Sequence, residues 1–445
     1  AAYLAAAEAE AVKYHYESAL AFAERGLGLA TGRGAEEYAL ACLQGRLFGD
    51  MGLAAKSITA YRHALSLASG DLDRCPALIG LAAGMRVTDE YDDALQALDQ
   101  SEAIAAGAGL TSELARIHHL RGNIYFPIGN IDGCLQEHEK ALAFAQDAGS
   151  PEGEANALSG LGDAYYLRGR MKTSLDHFQR CMDICRANGL SRIEIGNSYM
   201  VAWTRLYQNQ VSEALAEALA AAEAAERVGY RRAENVARLT AGRIYYECGD
   251  LAASRSHLEK GLVLVEEMGA NRFKAFHMIY LARILHAEDG TQTEAREMAG
   301  EALQISRDTG ITFLGPWALS TLALVSDDPG DRQSALDEGE AIINDGCVGH
   351  NYFAFYRDAV EAALAQADWD AADVYIVSLE RYNAPEPLPW CDFFMQRGAA
   401  LAAHGRGQRD TELRRELSRL RDAANQMGIM RSVPSLDAAL AELTG

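Results

Sequence analysis

Along this chain apolar residues recur at helical spacing, and the pattern returns every 40 residues. The stretch from Leu158 reads LSGLGDAYYLRGR, that from His118 reads HHLRGNIYFPIGN, and that from Arg238 reads RLTAGRIYYECGD. A small residue stands at Gly122, Gly162, Ala202 and Gly242. Three positions on come Tyr125, Tyr165, Arg205 and Tyr245, then a turn residue at Gly129, Gly169, Asn209 and Gly249. A second small residue follows at Cys134, Ser174, Ala214 and Ser254, with a larger one usually four positions later (His138, Phe178, Leu258). This spacing predicts two amphipathic helices per unit. They are joined at a mid-repeat Gly, which takes φ > 0 and ends the first helix. The small positions let paired helices approach, and the Tyr is expected to fill the gap between one pair and the next. One hairpin cannot bury its own apolar faces, so neighbours must stack.

The same frame reaches upstream through Gly45, Phe48, Gly52, Ser57 and Tyr61, then Ala82, Met85, Ala94 and Leu98. Downstream it runs through Ala282, Leu285, Ala295 and Ala299, then Ala335 and Gly339, then Val360, Ala372 and Ile376. It loosens near Gly398, Leu401 and Gly405. The expected architecture is all-α, a right-handed α-solenoid of tandem helix hairpins spanning residues 1–445. Residues 1–30 form a partial first repeat, 35–346 the regular repeats, 350–428 more divergent repeats, and 434–445 a capping helix. This amounts to about ten full helix pairs. Connections such as Thr31–Gly34 and Asp327–Gly330 are too short to be domain linkers. Gly346–His350 and Ala384–Pro389 are longer interruptions, the latter a Pro-rich rigid loop.

With its Leu-Gly-x-x-Tyr core (Leu161-Gly162 with Tyr165) and its small-x-x-x-aromatic core (Ser174 with Phe178), the chain resembles the tetratricopeptide repeat (TPR) family. The family period is 34, so the resemblance is to the long-repeat branch, as in kinesin light chains, cell-polarity adaptors and bacterial regulators. The family Trp is absent from its usual place, the repeat-ending Pro is mostly missing, and Arg205 replaces a core Tyr. The opening AAYLAAAEAEAVKYHYESALAFAERGL is similar to the entry into the C-terminal repeats of bacterial nucleotidyl cyclases and ATP-dependent transcription regulators. It begins without Met, and the expectation is a piece of something longer. The resemblance speaks for fold and hardly for function.

Charge and chemistry narrow the classes. A formal net charge of −22 argues against nucleic acid, whose binders need basic surface, and against an anionic membrane. No apolar run is long enough to span a bilayer, no signal peptide is visible, and the eight scattered cysteines read as reduced thiols of a cytoplasmic protein. Cys181 and Cys185 share a helix face, but no second Cys/His pair lies nearby to complete a metal site. Phosphate loop, HExxH and nucleophile-elbow patterns are missing, so no catalytic residue, cofactor or metal is expected.

In similar superhelices the first helix of each pair lines the concave surface. One residue after the small position stand Arg46, Asn123, Asp163, Trp203, Arg243 and Arg283. A turn to either side adds His119, Tyr199, Arg357, Arg86, Phe126, Tyr166, Tyr246 and His286. In an acidic chain this stripe is rich in Arg and aromatics, the residues enriched in binding hot spots. Arg46, Arg86, His119, Asn123, Tyr166, Tyr199, Trp203, Arg243, Tyr246, Arg283 and His286 are therefore candidate partner-binding residues. Trp203, Arg243 and Arg283 form the expected centre of a groove for a protein or peptide with acidic groups. Two other readings stay open: the aromatics pack between helices, and the arginines pair with acids of adjacent repeats. Surplus acid (Glu137, Glu139, Glu217, Glu223, Glu226, Glu266, Glu267) is expected on the outer face. The functional expectation is a non-catalytic interaction scaffold, with a regulatory segment of a larger bacterial signalling protein as the alternative. An end repeat could pair two chains in a homodimer.

Overall fold

The computed structural model describes residues 1–288 and 290–443. Among them are 23 α-helices and no strand, arranged as tandem hairpins of a solenoid. By packing the chain falls into two compact units. The first comprises residues 1–161 and 183–190. It holds α1 (Ala2–Ala11), α2 (Tyr16–Ala30), α3 (Ala35–Asp50), α4 (Ala54–Leu67), α5 (Asp71–Val87), α6 (Tyr91–Ala108), α7 (Thr111–Tyr125) and α8 (Ile131–Asp147), with the first part of α9 (Pro151–Leu167) and the end of α10 (Met171–Asn188). The second unit takes the rest of α9 and α10. It continues with α11 (Ser191–Leu206), α12 (Val211–Arg227), α13 (Arg231–Glu247), α14 (Leu251–Met268), α15 (Asn271–His286), α16 (Gln292–Thr309), α17 (Ile311–Val325) and α18 (Pro329–Asp345). It closes with α19 (Gly349–Ala365), α20 (Trp369–Asn383), α21 (Pro389–Gly405), α22 (Thr411–Met427) and α23 (Val433–Glu442).

The repeat residues do local work that explains the helices. The turn positions Gly52, Gly129, Gly169 and Gly249 have φ between 71° and 81°, and Asn209 takes φ 57° at the same place. That left-handed conformation stops the first helix of each hairpin. Two of the second helices, α8 and α14, then begin at a side-chain cap: Asn130 accepts from the Gly133 amide and Asp250 from the Ala253 amide, each at 2.9 Å. A Cβ at Gly162 would lie 2.8 Å from the Phe178 ring, and one at Gly242 would lie 2.7 Å from Leu258. The small residue and its larger partner are thus in direct contact across the hairpin.

The second small position has a reason beyond size. The hydroxyls of Ser57, Ser174 and Ser254 donate to the carbonyls of Gly45, Gly162 and Gly242, each at 2.7 Å. The Tyr position differs from expectation. Tyr165 stacks on His177 at 5.2 Å between ring centroids, and Tyr245 lies over His257 at 5.5 Å, so each packs within its own hairpin. Where Arg205 replaces the Tyr, its Nε meets the Glu217 carboxylate at 2.9 Å, at the same offset. One local pair has been exchanged for another.

Candidate functional site

In the first unit, the first helices of three successive hairpins, α5, α7 and α9, enclose a pocket of about 180 Å³. Its apolar floor is Ile79 and Ala83 from α5 with Ala115 and Leu120 from α7. Its polar groups are Arg116, His119 and Asn156. His119 is half-buried, and its Nε2 lies 2.9 Å from Asn123 Nδ2, which donates to it. With Nε2 accepting, the proton sits on Nδ1, which has no partner. Burial, with the nearby Arg86 cation adding to it, lowers the His119 pKa to about 4, so the ring is neutral. Arg116 is exposed and has no ion-pair partner among the described residues. Arg46 is exposed, while Arg86 and Asn123 are half-buried.

The opposite side of α7 is tied down by charge. Arg121 reaches Asp99 at 2.9 Å, Glu102 at 2.6 Å and Glu137 at 3.1 Å, and His118 Nδ1 lies 2.7 Å from Glu137. Glu137 is therefore buried rather than on the outer face, whereas Glu139, Glu223, Glu226, Glu266 and Glu267 are exposed. Burial alone would raise the Glu137 pKa. Hydrogen bonds from His118, Lys140 and Arg121 overcome it and hold the carboxyl at about 2. These pairs fix the face of α7 that presents Arg116 and His119 to the pocket.

In the second unit the expected groove centre is not an open surface. Trp203, Arg243 and Arg283 are 3%, 2% and 3% exposed, and Tyr166, Tyr199 and Tyr246 are also buried. What covers them is later sequence of the same unit. Trp203 packs against Phe276 and Trp317, and Tyr166 Oη bonds His350 Nδ1 at 2.6 Å. Arg283 donates to Thr321 Oγ1 and pairs with Asp358, while Arg431 sits over the Tyr246 ring at 4.3 Å. Arg357 pairs with Glu247 at 2.6 Å and with Asp358 at 3.1 Å. Arg283 and Arg357 have found acids of other repeats, Arg243 lies over the Trp203 ring at 4.4 Å, and the aromatics have found one another. His286 is half-buried, with Nδ1 bonded to Gln292 Oε1 at 2.7 Å, and holds the α15–α16 turn.

The stripe as read from sequence also missed two pocket residues. Arg116 lies three residues before His119, one further turn along the same helix face, and Asn156 stands 40 positions after Arg116 in the repeat frame. Extending the stripe by one turn would have found both.

Residues 113–187 match the tetratricopeptide repeat family. No curated protein matches the chain. Among solved structures, the chain is similar to a Rap protein complexed with competence and sporulation factor, at 14% identity and TM-score 0.59, covering 79% of this chain and 98% of that one. It is also similar to the apo form of RapI, at 12% identity and TM-score 0.52, covering 79% and 99%. A third is the Rap conjugation gene regulator of plasmid pLS20 in complex with the Phr* peptide, at 12% identity and TM-score 0.50, covering 78% and 96%. At such identities the likeness shows the fold alone. No helix of the described residues is long and apolar enough to cross a membrane. With its 40-residue helix hairpins and its small-residue contacts, the chain has the fold of a tetratricopeptide-like solenoid, and its residues 113–187 match that family.

Proposed function

We propose that this chain is a non-catalytic interaction scaffold that captures an extended or helical peptide segment on the inner face of its first unit. The observation that carries this reading is the pocket between α5, α7 and α9. An apolar floor would take an aliphatic or aromatic side chain. Around it stand an unpaired cation (Arg116), an amide (Asn156) and a neutral imidazole whose Nδ1–H has no acceptor (His119). All three can donate hydrogen bonds, so a carboxylate beside an apolar side chain is the chemistry they fit. Arg46, Arg86 and Asn123 lie along the same inner line and would extend the contact. Two of the similar structures are complexes with competence and sporulation factor and with the Phr* peptide, which supports a peptide as the ligand class.

The test is selection of peptides on the purified chain, followed by titration of the selected peptides against Arg116→Glu and Arg46→Glu. Charge reversal at Arg116 is expected to weaken binding at least tenfold, with a smaller loss at Arg46. Equal affinity for the wild type and Arg116→Glu would remove this site. The Ala-rich opening segment favours a second reading, that the scaffold regulates catalytic or ATPase domains of a larger signalling protein. Peptide binding that changes the activity of such a full-length protein would establish it.

A further inference from the structure

In the second unit one row of cations is short of acids. Arg192, Arg232 and Arg272 stand 40 residues apart in the repeat frame, each as the second residue of a first helix, in α11, α13 and α15. The same place holds Glu152 in the repeat before them and Thr312 in the repeat after. α11 packs directly against α13, and α13 against α15. Helices in such contact lie roughly 8–10 Å apart.

Neighbouring cations that meet the second helices are neutralised there. Arg231 pairs with Glu267 of α14 at 2.9 Å, and Lys274 with Glu301 of α16 at 2.8 Å. Neither Arg232 nor Arg272 pairs with a carboxylate among the described residues, in a chain of 63 acids against 41 lysines and arginines. Arg232 is exposed, and the Arg272 Nε has no hydrogen-bond acceptor. Aromatic rings hold the other two members of the row. The guanidinium carbon of Arg192 lies 4.6 Å from the Tyr230 ring, and that of Arg272 lies 5.0 Å from the Phe313 ring. Stacking on a ring orders a guanidinium without using its in-plane N–H groups.

The groups that face Arg232 are Tyr199 of α11, Tyr230 in the turn before α13, and Asp163 of α9. Asp163 is half-exposed and makes no hydrogen bond or ion pair among the described residues. Burial raises its pKa to about 7 against the pull of the Arg232 cation. Burial also raises the phenols of Tyr199 and Tyr166, which face Asp163, so both stay neutral.

We propose that Arg192, Arg232 and Arg272 form a docking row for an extended acidic segment of a partner protein, and that Asp163 competes with this segment for Arg232. Charge complementarity and spacing name the occupant. About three extended residues span the roughly 10 Å between neighbouring members of the row, so the segment carries an acid at every third position. A net charge of −22 on the chain disfavours a polynucleotide. None of these residues lines the pocket between α5, α7 and α9.

The experiment is fluorescence anisotropy of a labelled synthetic peptide with Glu at every third position, titrated with the full chain, beside the same peptide with Gln at those positions. The Glu peptide should bind at least about tenfold more tightly. Arg232→Gln with Arg272→Gln should remove that difference, and Arg116→Glu should leave it unchanged. Arg232 is exposed, so Arg232→Gln alone decides if the double variant does not fold. Asp163→Asn should tighten binding roughly threefold at pH 8, which a structural defect would not do. Wild-type affinity should rise as much between pH 8 and pH 6, as the Asp163 carboxyl takes up its proton while the peptide carboxylates stay charged. Asp163→Asn should show no such rise. Equal affinity for the two peptides, or equal affinity in wild type and Arg232→Gln, overturns the proposal. So does binding that is lost in Arg116→Glu and kept in the Arg232 and Arg272 variants, which would put the segment in the first unit's pocket. Tighter binding of an oligonucleotide of equal charge overturns the choice of partner, and a wild-type affinity that is flat from pH 8 to 6 overturns the role of Asp163.

Discussion

His138 shows how much a single repeat position decides. It is fully buried, both its ring nitrogens lack partners, and the ring sits against two glycines. A Cβ at Gly122 would come within 2.5 Å of it, and one at Gly160 within 2.1 Å. Burial and the nearby His119 hold its pKa well below the ordinary value. The equivalent positions in other repeats are Phe178 and Leu258. His138→Leu, close in volume, removes two unsatisfied polar atoms and should stabilise the chain by about 1–2 kcal/mol. Urea unfolding checks this, and a midpoint equal to or below wild type would refute it. The position was legible in the sequence as the large partner of a small residue. Its lack of hydrogen-bond partners was not, because that depends on what the glycines of two helices leave beside it.

At the scale of helices, the repeat frame predicts hairpins but not how their ends are satisfied. The start of α10 is the clearest case. The Glu386 carboxylate, in the Pro-rich loop before α21, accepts from the Lys172 amide at 2.7 Å, the Thr173 amide at 3.3 Å and the Thr173 hydroxyl at 2.6 Å. Nearby, the Tyr382 hydroxyl donates to the Arg168 carbonyl at 3.1 Å. An acid more than two hundred residues away thus caps a helix whose preceding residues offer no capping carboxylate. The helix N-terminus favours negative charge there. Glu386→Gln keeps the shape and loses the charge, and should cost about 1 kcal/mol. Amide exchange at Lys172 and Thr173 should quicken while the first unit stays protected; unchanged exchange there would count against the cap. The Ala384–Pro389 segment was readable as a rigid loop. Its contact with α10 follows only once the second unit is assembled.

Over the whole molecule, buried neutral histidines set the response to acid. His277, whose Nε2–H donates to Asn235 Oδ1 at 2.8 Å, and His350 are both lowered to about 3 by burial, and His138 is lowered as well. These folded values lie below the unfolded one of about 6.5. Between the two, the unfolded chain binds protons that the folded chain does not, so stability present above pH 6.5 is lost as the pH falls. Urea midpoints measured from pH 7.5 to 5 should drop, with a slope approaching 1.4 kcal/mol per pH unit for roughly each histidine. A flat profile over that range would contradict it. The loss runs against the falling net charge, whose repulsion weakens as the pH nears the sequence pI of about 4.9. By itself the sequence determined the helix hairpins, their 40-residue period, their left-handed turns and the face that turns inward, because each depends on residues close together in the chain. Which parts of that inner face stay open was decided by tertiary structure. In the first unit His119 borders a pocket, while in the second the same stripe, at Trp203, Arg243 and Arg283, is covered by α17 and α19. Burial of that kind depends on side chains brought together across 75 residues and more, a separation that no local pattern of apolar and polar positions records.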